Sequence, residues 1–222
     1  MYQEQFLIKS KWIVLIMIFT LVIINKYKDK DKNIKFYNYF ILIISFILFY
    51  ILFTINQQPI IPKLKTNEIL SPSSGYIGDI KYLKDKTIIM FNLSFFSNHI
   101  QYIPYNGRVI SDKYIQSKLL RNKRMFLFHP KIFPNFDESI EKNEKYHTIL
   151  ETAIGNIEIT RIAGLVAPRV HTLITNENVK QGDVMGIIIF SSMVLLTIPS
   201  SVKLYIKKGD TLNAGESIIG YI

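Results

Sequence analysis

The first sixty residues alternate between long apolar runs and lysine-rich stretches. Residues 12–24 carry a single polar side chain, Thr20, and residues 37–55 form an uncharged run close to the length that crosses a hydrocarbon core. The pattern predicts two N-terminal hydrophobic helices that anchor residues 1–60 in a membrane. A cleaved signal peptide is the alternative for the first run, although no small-residue cleavage site follows it, and buried helices of a soluble protein are the alternative for both.

From residue 61 onward the pattern changes to short apolar runs separated by Gly, Pro, Asn and Asp. Such runs between turn residues are typical of β-strands. Residues 61–222 are therefore predicted to form a mainly β (α+β) domain, a small barrel- or sandwich-like sheet structure. The mostly polar stretch 138–152 is predicted to be a loop or a passage from helix to strand. The strand-forming runs are 75–80, 87–96, 107–111, 155–167, 184–190, 193–199 and 202–206.

An internal repeat occurs near the end of the chain. The sequence "VKQGDVMGIII" begins at Val179, and the similar "IKKGDTLNAGESIIGYI" begins at Ile206. Each contains a Gly-Asp pair, which predicts a tight turn and hence paired hairpins in the barrel or sandwich. The end of the chain also resembles the hammerhead-type hairpins of lipoyl and biotinyl modules. Those modules carry a Lys at a hairpin tip. No Lys separates the runs 184–190 and 193–199, so a swinging-arm carrier is disfavoured.

Composition narrows the chemistry. The chain has no cysteine, which excludes thiol nucleophiles, disulfides and cysteine-ligated metals, and its four histidines lack the spacing of metal ligands. A formal charge of +10 suits either nucleic acid or an anionic lipid surface. The basic cluster at residues 118–124 has no interleaved aromatic side chains for base stacking, so a solvated or headgroup-facing loop is favoured over a nucleic-acid site.

Two adjacent serines, Ser191 and Ser192, interrupt the apolar sequence "IIFSSMVLLTIP" between two predicted strands. A hydroxyl buried there costs free energy unless it finds a hydrogen-bond partner. A turn between the strands is one explanation, because Ser is a common turn residue. The other is that one hydroxyl attacks its own backbone.

Four stretches, taken in order, resemble the phosphatidylserine decarboxylases, which are pyruvoyl-dependent enzymes made as self-cleaving proenzymes. The resemblance covers about 69–222 and implies a carboxy-lyase that converts phosphatidylserine to phosphatidylethanolamine at a membrane, with residues 61–222 as its catalytic domain. The stretches are "LSPSSGYIGDI", "LSFFSNHIQYIPYNGRV", "EKNEKYHTILETAIGNIEITRIAGLVAPRV" and "GDVMGIIIFSSMVLLTIP".

The resemblance also implies how the serine pair is used. In the family a serine hydroxyl attacks the preceding carbonyl, the chain breaks, and the serine becomes an N-terminal pyruvoyl group that forms a Schiff base with the substrate amine. Here that position falls on Ser192, with cleavage between Ser191 and Ser192 into chains 1–191 and 192–222. His99 resembles the family histidine that draws the hydroxyl proton. No separate cofactor and no metal are expected.

The sequence departs from the family pattern at three places. Ser191 replaces the usual glycine before the cleaved bond, and Ser74 replaces the aspartate that orients the histidine. Asp79, five residues later, is a possible substitute for that aspartate. The paired arginines that end the third stretch are reduced to Arg169, a candidate partner for a phosphate. The loss of the aspartate leaves one alternative open, namely a homologue that binds phospholipid without processing or catalysis.

Overall fold

The computed structural model describes residues 39–47, 67–93, 97–116, 140–141, 143–163, 170–188 and 193–222. The chain divides into two compact units, Met1–Gln57 and Gln58–Ile222. In the first unit, helix α1 covers residues 39–47 and exposes Phe40, Leu42 and Phe46 by more than half. In the described part of the chain, no helix combines the length and the apolar character needed to cross a membrane. Residues 12–24 lie outside the described residues, so the two-helix anchor stays a prediction.

The second unit is built from β-strands, which confirms the mainly β prediction. All seven apolar runs that predict strands contain one. The strands of the described residues are β1 Glu68–Leu70, β2 Gly75–Tyr82, β3 Lys86–Asn92, β4 Ile100–Tyr102, β5 Gly107–Ile115, β6 Lys145–Thr152, β7 Gly155–Ile162, β8 Val170–Thr172, β9 Asn178–Val179, β10 Val184–Ile188, β11 Met193–Pro199, β12 Lys203–Leu204, β13 Thr211–Leu212 and β14 Ile218–Tyr221.

The strands form three antiparallel sheets. The largest has eight strands in the order β13-β2-β3-β11-β7-β6-β5-β9, and the two smaller sheets are β1-β14-β12 and β4-β10-β8. The large sheet is open, with β13 and β9 at its edges, so the described strands do not close into a barrel. Strand β11 is central, pairing with β3 on one side and β7 on the other.

The largest hydrophobic cluster of the described residues joins the three sheets. It includes Ile69 of β1, Met185 of β10 and Leu196 of β11, all fully buried. In β11, Val194, Leu196 and Ile198 are fully buried while the residues between them are half-buried. Successive side chains of a strand point to opposite faces, so this alternation turns one face of the large sheet toward the core.

The two predicted Gly-Asp turns are confirmed, and they are built alike. Gly182 and Gly209 have positive φ angles of 88° and 92°, a conformation that glycine adopts without steric cost. In each turn the aspartate accepts a hydrogen bond from the backbone N–H three residues earlier, at 2.7 Å for Asp183 and 2.9 Å for Asp210. The repeated sequence therefore encodes a repeated turn. The predicted hairpins are wrong, because the strands that flank each turn pair elsewhere: β9 pairs with β5 and β10 with β4 and β8, whereas β12 pairs with β14 and β13 with β2.

Candidate active site

His99 lies immediately before β4, and its backbone ties that strand to β10. Its carbonyl oxygen accepts a hydrogen bond from the N–H of Ile188 at 3.0 Å and another from Nε2 of Gln101 at 2.7 Å. The side-chain oxygen of Asn98 accepts from the N–H of Ile100 at 2.9 Å, which fixes the bend that leads into the strand. The position of His99 is therefore set by the end of β10.

The imidazole of His99 is almost completely buried and lacks well-formed hydrogen bonds within the described part of the chain. The residue is 1% exposed, and neither ring nitrogen forms a hydrogen bond of normal geometry with the described residues. Burial lowers the pKa of His99 from 6.5 to about 4, because imidazolium loses its hydration there, and a hydrogen bond to the Ser97 backbone opposes this only in part. At neutral pH the ring is uncharged and retains one nitrogen able to take a proton.

Neither Ser74, which stands at the position of the family aspartate, nor Asp79, its possible substitute, forms a hydrogen bond with His99. Ser74 is buried, but its Oγ accepts a hydrogen bond from the N–H of Ala214 at 2.8 Å and none from His99. Asp79 is partly exposed and lies 3.6 Å from Nζ of Lys208. The suggestion that Asp79 substitutes is wrong for this structure, because its position in β2 directs its carboxylate to a lysine instead.

Strands β10 and β11 flank the serine pair, although Ser191 and Ser192 themselves lie outside the described residues. On one side, Ile188 ends β10 beside the His99 carbonyl. On the other, Met193 begins β11 opposite Asn92 and Ile162. The connection therefore leaves the small sheet next to His99 and enters the centre of the large sheet within four residues.

The Ser74 segment reaches the same end of the large sheet. Ser74 directly precedes β2, whose second residue, Tyr76, pairs with Asn92, and Asn92 in turn pairs with Met193. The register of three neighbouring strands thus brings the starts of β2 and β11 together. The sequence did not single out Asn92, whose buried Nδ2 has no hydrogen-bond partner among the described residues. An isolated amide in an apolar strand was the available signal.

The remaining predicted features are two basic groups and the expected absence of a metal site. Arg169 and the basic cluster 118–124 lie outside the described residues, so their roles stay predictions. Within the part of the chain that the structure describes, no group of three or more His, Asp or Glu side chains is arranged to hold a metal ion.

Comparison with known proteins identifies the family. The sequence model of the phosphatidylserine decarboxylase family matches residues 49–220. A phosphatidylserine decarboxylase proenzyme of Ehrlichia canis is 33% identical over 166 residues, covering 70% of this chain and 68% of the relative. One of Geotalea uraniireducens is 30% identical over 185 residues, covering 79% and 80%. A Methanosarcina mazei protein with the provisional name archaetidylserine decarboxylase proenzyme is 31% identical over 164 residues, covering 72% and 70%.

No solved structure matches the chain. The family model nevertheless spans the second unit almost completely, from before β1 to the middle of β14. The four sequence stretches that resemble the family all fall within this match. The chain belongs to the phosphatidylserine decarboxylase family.

Proposed function

We propose that this protein removes CO2 from the serine headgroup of phosphatidylserine, giving phosphatidylethanolamine, after cutting its own chain between Ser191 and Ser192. Family membership supports the reaction, and the relatives' names give a serine phospholipid as their substrate. One observation supports the cleavage site above all others. The buried, neutral imidazole of His99 belongs to a residue whose backbone is bonded to Ile188, the last described residue before the serine pair.

The proposed cleavage uses groups of the chain and one water molecule. The Ser192 hydroxyl oxygen attacks the carbonyl carbon of Ser191 while His99 accepts the hydroxyl proton, which then passes to the departing amide nitrogen. An ester now joins the two residues. Removal of the α-proton of residue 192 breaks the bond between its β-carbon and the ester oxygen, so that Ser191 leaves as a carboxylate. Water then replaces the nitrogen of the resulting dehydroalanine, which departs as ammonia.

His99 suits the first of these steps by its protonation state. A general base must be unprotonated, and the lowered pKa keeps this imidazole neutral across the physiological range. The same low pKa makes it a weak base, since no carboxylate contacts the ring among the described residues. Slow processing is compatible with function, because each molecule needs to be cut only once.

The pyruvoyl group left at residue 192 would supply an electron sink for the loss of CO2. The residues around its expected position fit such a group, because His99 offers an unpartnered ring nitrogen in a water-poor site. The role of His99 in the mature enzyme is to exchange a proton with the substrate. The retained pairing of β11 with β3 and β7 holds the short chain 192–222 in the sheet.

We further propose that residues 1–60 hold the enzyme at the membrane where its lipid substrate lies. Helix α1 exposes apolar side chains at most of its positions, including Tyr39 at 70% and Phe46 at 63%. A helix that is apolar on most sides is unfavourable in water and favourable in a lipid environment. The formal charge of +10 adds attraction to anionic headgroups.

A pair of serine variants tests the proposal. The full-length chain and its Ser192→Ala and Ser191→Gly variants are supplied with phosphatidylserine labelled in the serine carboxylate, and released CO2 is measured. The wild type and Ser191→Gly are expected to release CO2, since glycine is the family residue there, and Ser192→Ala is expected to release none. Archaetidylserine in a parallel assay separates headgroup recognition from preference for the lipid tails.

The competing possibility gives a different result. If the wild-type chain remains uncut and binds phosphatidylserine vesicles without releasing CO2, the protein is a processing-defective homologue. If Ser192→Ala is as active as the wild type, the assignment of the cleavage site is wrong although the family is right.

A further inference from the structure

Arg161 of β7 is the largest side chain that the described part of the chain buries completely. Its Nη1 donates hydrogen bonds to the carbonyl oxygens of His171, at 3.2 Å, and Met185, at 3.3 Å. Its Nη2 donates to Oδ1 of Asp112, at 3.2 Å, and to Oγ1 of Thr148, at 3.3 Å. The guanidinium therefore crosses from the large sheet, where β7 lies, to β8 and β10 of a smaller sheet.

Asp112 of β5 makes a second connection between the same two sheets. Its Oδ2 accepts a hydrogen bond from the hydroxyl of Thr172 in β8 at 2.6 Å. Its Oδ1 accepts from Thr148 of β6 at 2.7 Å, in addition to the bond from Arg161. Arg161, which is fully buried, and Asp112, which is largely buried, thus form a charged cross-link with partners in strands of both sheets.

The fold leaves room for this cross-link at one glycine. A Cβ added to Gly186 of β10 would lie 2.0 Å from Nη1 of Arg161 and 2.2 Å from the His171 carbonyl oxygen. Any side chain at this position would displace the guanidinium or the neighbouring strand. The guanidinium also lies over the ring of Tyr146, 5.2 Å from its centroid.

The cross-link joins the strands on the two sides of the serine pair. Arg161 pairs through its backbone with Val194, two residues after Ser192. Through its guanidinium it binds the carbonyl of Met185 in β10, the strand that leads to Ser191. One residue therefore fixes the spacing between the strand that precedes the proposed cut and the strand that follows it.

Stability alone does not account for a buried ion pair in this place. Removing two charges from water is costly, and well-packed apolar side chains of similar volume are often as stabilising or more so. Such a pair can instead specify one arrangement of the elements that it joins. An attack of Ser192 on the adjacent carbonyl depends on that arrangement, because small misplacements of reacting groups slow reactions strongly.

We propose that Arg161, together with Asp112, is a positioning pair that holds β10 and β11 at the separation needed for self-cleavage. The pair acts through the strands and does not touch the reacting atoms. After cleavage it keeps the end of the long chain beside the start of the short one. This inference rests on the proposed cut between Ser191 and Ser192.

The test replaces the pair by apolar side chains of similar size. A full-length double variant, Arg161→Met with Asp112→Leu, is expected to keep its melting temperature within a few degrees and to cleave about 10- to 100-fold more slowly. Cleavage is followed on a denaturing gel after synthesis. The matched control is a second ion pair between β5 and its neighbour β6, Arg108 with Glu151 at 2.8 Å, which is exposed and joins no second sheet. Arg108→Met with Glu151→Leu should cleave at the wild-type rate.

The Arg161→Lys variant and a hydrogen-exchange measurement test the same cross-link independently. Arg161→Lys keeps the charge but cannot donate to all four oxygens, so it should cleave at an intermediate rate. If the double variant folds poorly, hydrogen exchange in the uncleavable Ser192→Ala chain replaces the gel. There, Arg161→Lys should speed exchange of the β10 amides more than that of the β2 amides.

The inference is overturned if the double variant has normal stability and cleaves at the wild-type rate. It is also overturned if hydrogen exchange changes equally in β10 and β2. These results are separable from a failure of the proposed function. If the wild type is not cut at Ser191–Ser192, the function proposed above fails, whereas the exchange experiment still reports on the cross-link.

Discussion

Arg161 and His99 are both basic side chains that are almost completely buried, yet their surroundings are opposite. Arg161 has a carboxylate, a hydroxyl and two carbonyl oxygens around its guanidinium. Burial lowers its pKa to about 10, so it remains charged at neutral pH. His99 has no ordinary hydrogen-bond partner for its ring among the described residues, and burial lowers its pKa to about 4.

These surroundings suit Arg161 to a structural role and His99 to a chemical one. A charge that stays fixed and is hydrogen-bonded through both terminal nitrogens can hold two sheets in one arrangement. A neutral base with a vacant nitrogen is destabilising for the fold but available for proton transfer. Perturbed groups of the second kind are typical of functional sites.

The largest expected effect comes from removing the base. His99→Asn should slow self-cleavage by roughly 10²- to 10⁴-fold, the usual contribution of a general base. The measurement is the fraction of cut chain against time on a denaturing gel. His147→Asn is the control, because His147 is partly exposed and bonded to Thr160 at 2.9 Å, so its loss should leave cleavage unchanged. Equal rates for both variants would remove His99 from the mechanism.

Restoring the family carboxylate should act in the opposite direction. Ser74→Asp is expected to raise the pKa of His99 and to speed cleavage by at least ~10-fold, within the ~10⁴-fold effect of such an aspartate in protease triads. The cleavage rate and the imidazole NMR shifts report the two changes. Ser74→Asn supplies an acceptor oxygen without charge and should give little acceleration. If both variants cleave alike, charge at this position does not control the histidine.

The low pKa of His99 predicts a pH-dependent loss of stability. The unfolded histidine binds a proton near pH 6.5 and the folded one only near pH 4, so stability falls as the pH drops between these values and is unaffected above them. At about 1.4 kcal/mol per pH unit, the contribution of His99 amounts to ~3 kcal/mol at pH 4.

This loss is measured as the free energy of unfolding at pH 7 and at pH 4 in the uncleavable Ser192→Ala chain. Adding His99→Gln should shrink the difference between the two pH values by about that amount. Other groups titrate equally in both chains and cancel. An unchanged difference would mean that the folded histidine titrates near its ordinary pKa.

A smaller effect is expected when a methyl group is added next to Arg161 and no charge is changed. Gly186→Ala should lower the free energy of unfolding by roughly 1–3 kcal/mol, because its methyl group overlaps the guanidinium and a backbone oxygen. Gly209→Ala is the comparison, since its Cβ meets nothing within 4 Å and only its positive φ angle of 92° is strained, at a cost of ~1 kcal/mol. Denaturant titrations should rank the two in this order.

The regular parts of the fold could be predicted from local sequence, whereas strand pairing between distant segments could not. Short apolar runs between turn residues identified strands such as β11, and the Gly-Asp repeat identified two turns. Strand β6 was predicted only as one of two alternatives for residues 138–152, and the structure bears out the passage from helix to strand, with helical residues 140–141 followed by β6. The sequence left the loop open because only Thr148 and Leu150 of the eight residues of β6 are fully buried and its other side chains are polar or partly exposed. Its pairing with β5 and β7 supplies the stability that its own composition does not indicate.

The site was only partly predictable for a related reason. His99 was identified from its resemblance to a family histidine, whereas the cross-link of Arg161 and Asp112 depends on residues 49 positions apart. A lone arginine in the strand-forming run 155–167 was the available signal. Its significance depends on which carbonyls of the other sheet lie opposite, and no local pattern determines that.

Intact mass analysis of the full-length protein, purified from the membranes of cells that produce it, tests self-cleavage at Ser192 most directly. The account predicts two chains, 1–191 and 192–222, with the mass of a pyruvoyl group at the start of the second. A single chain 1–222 that still releases CO2 from phosphatidylserine would contradict it.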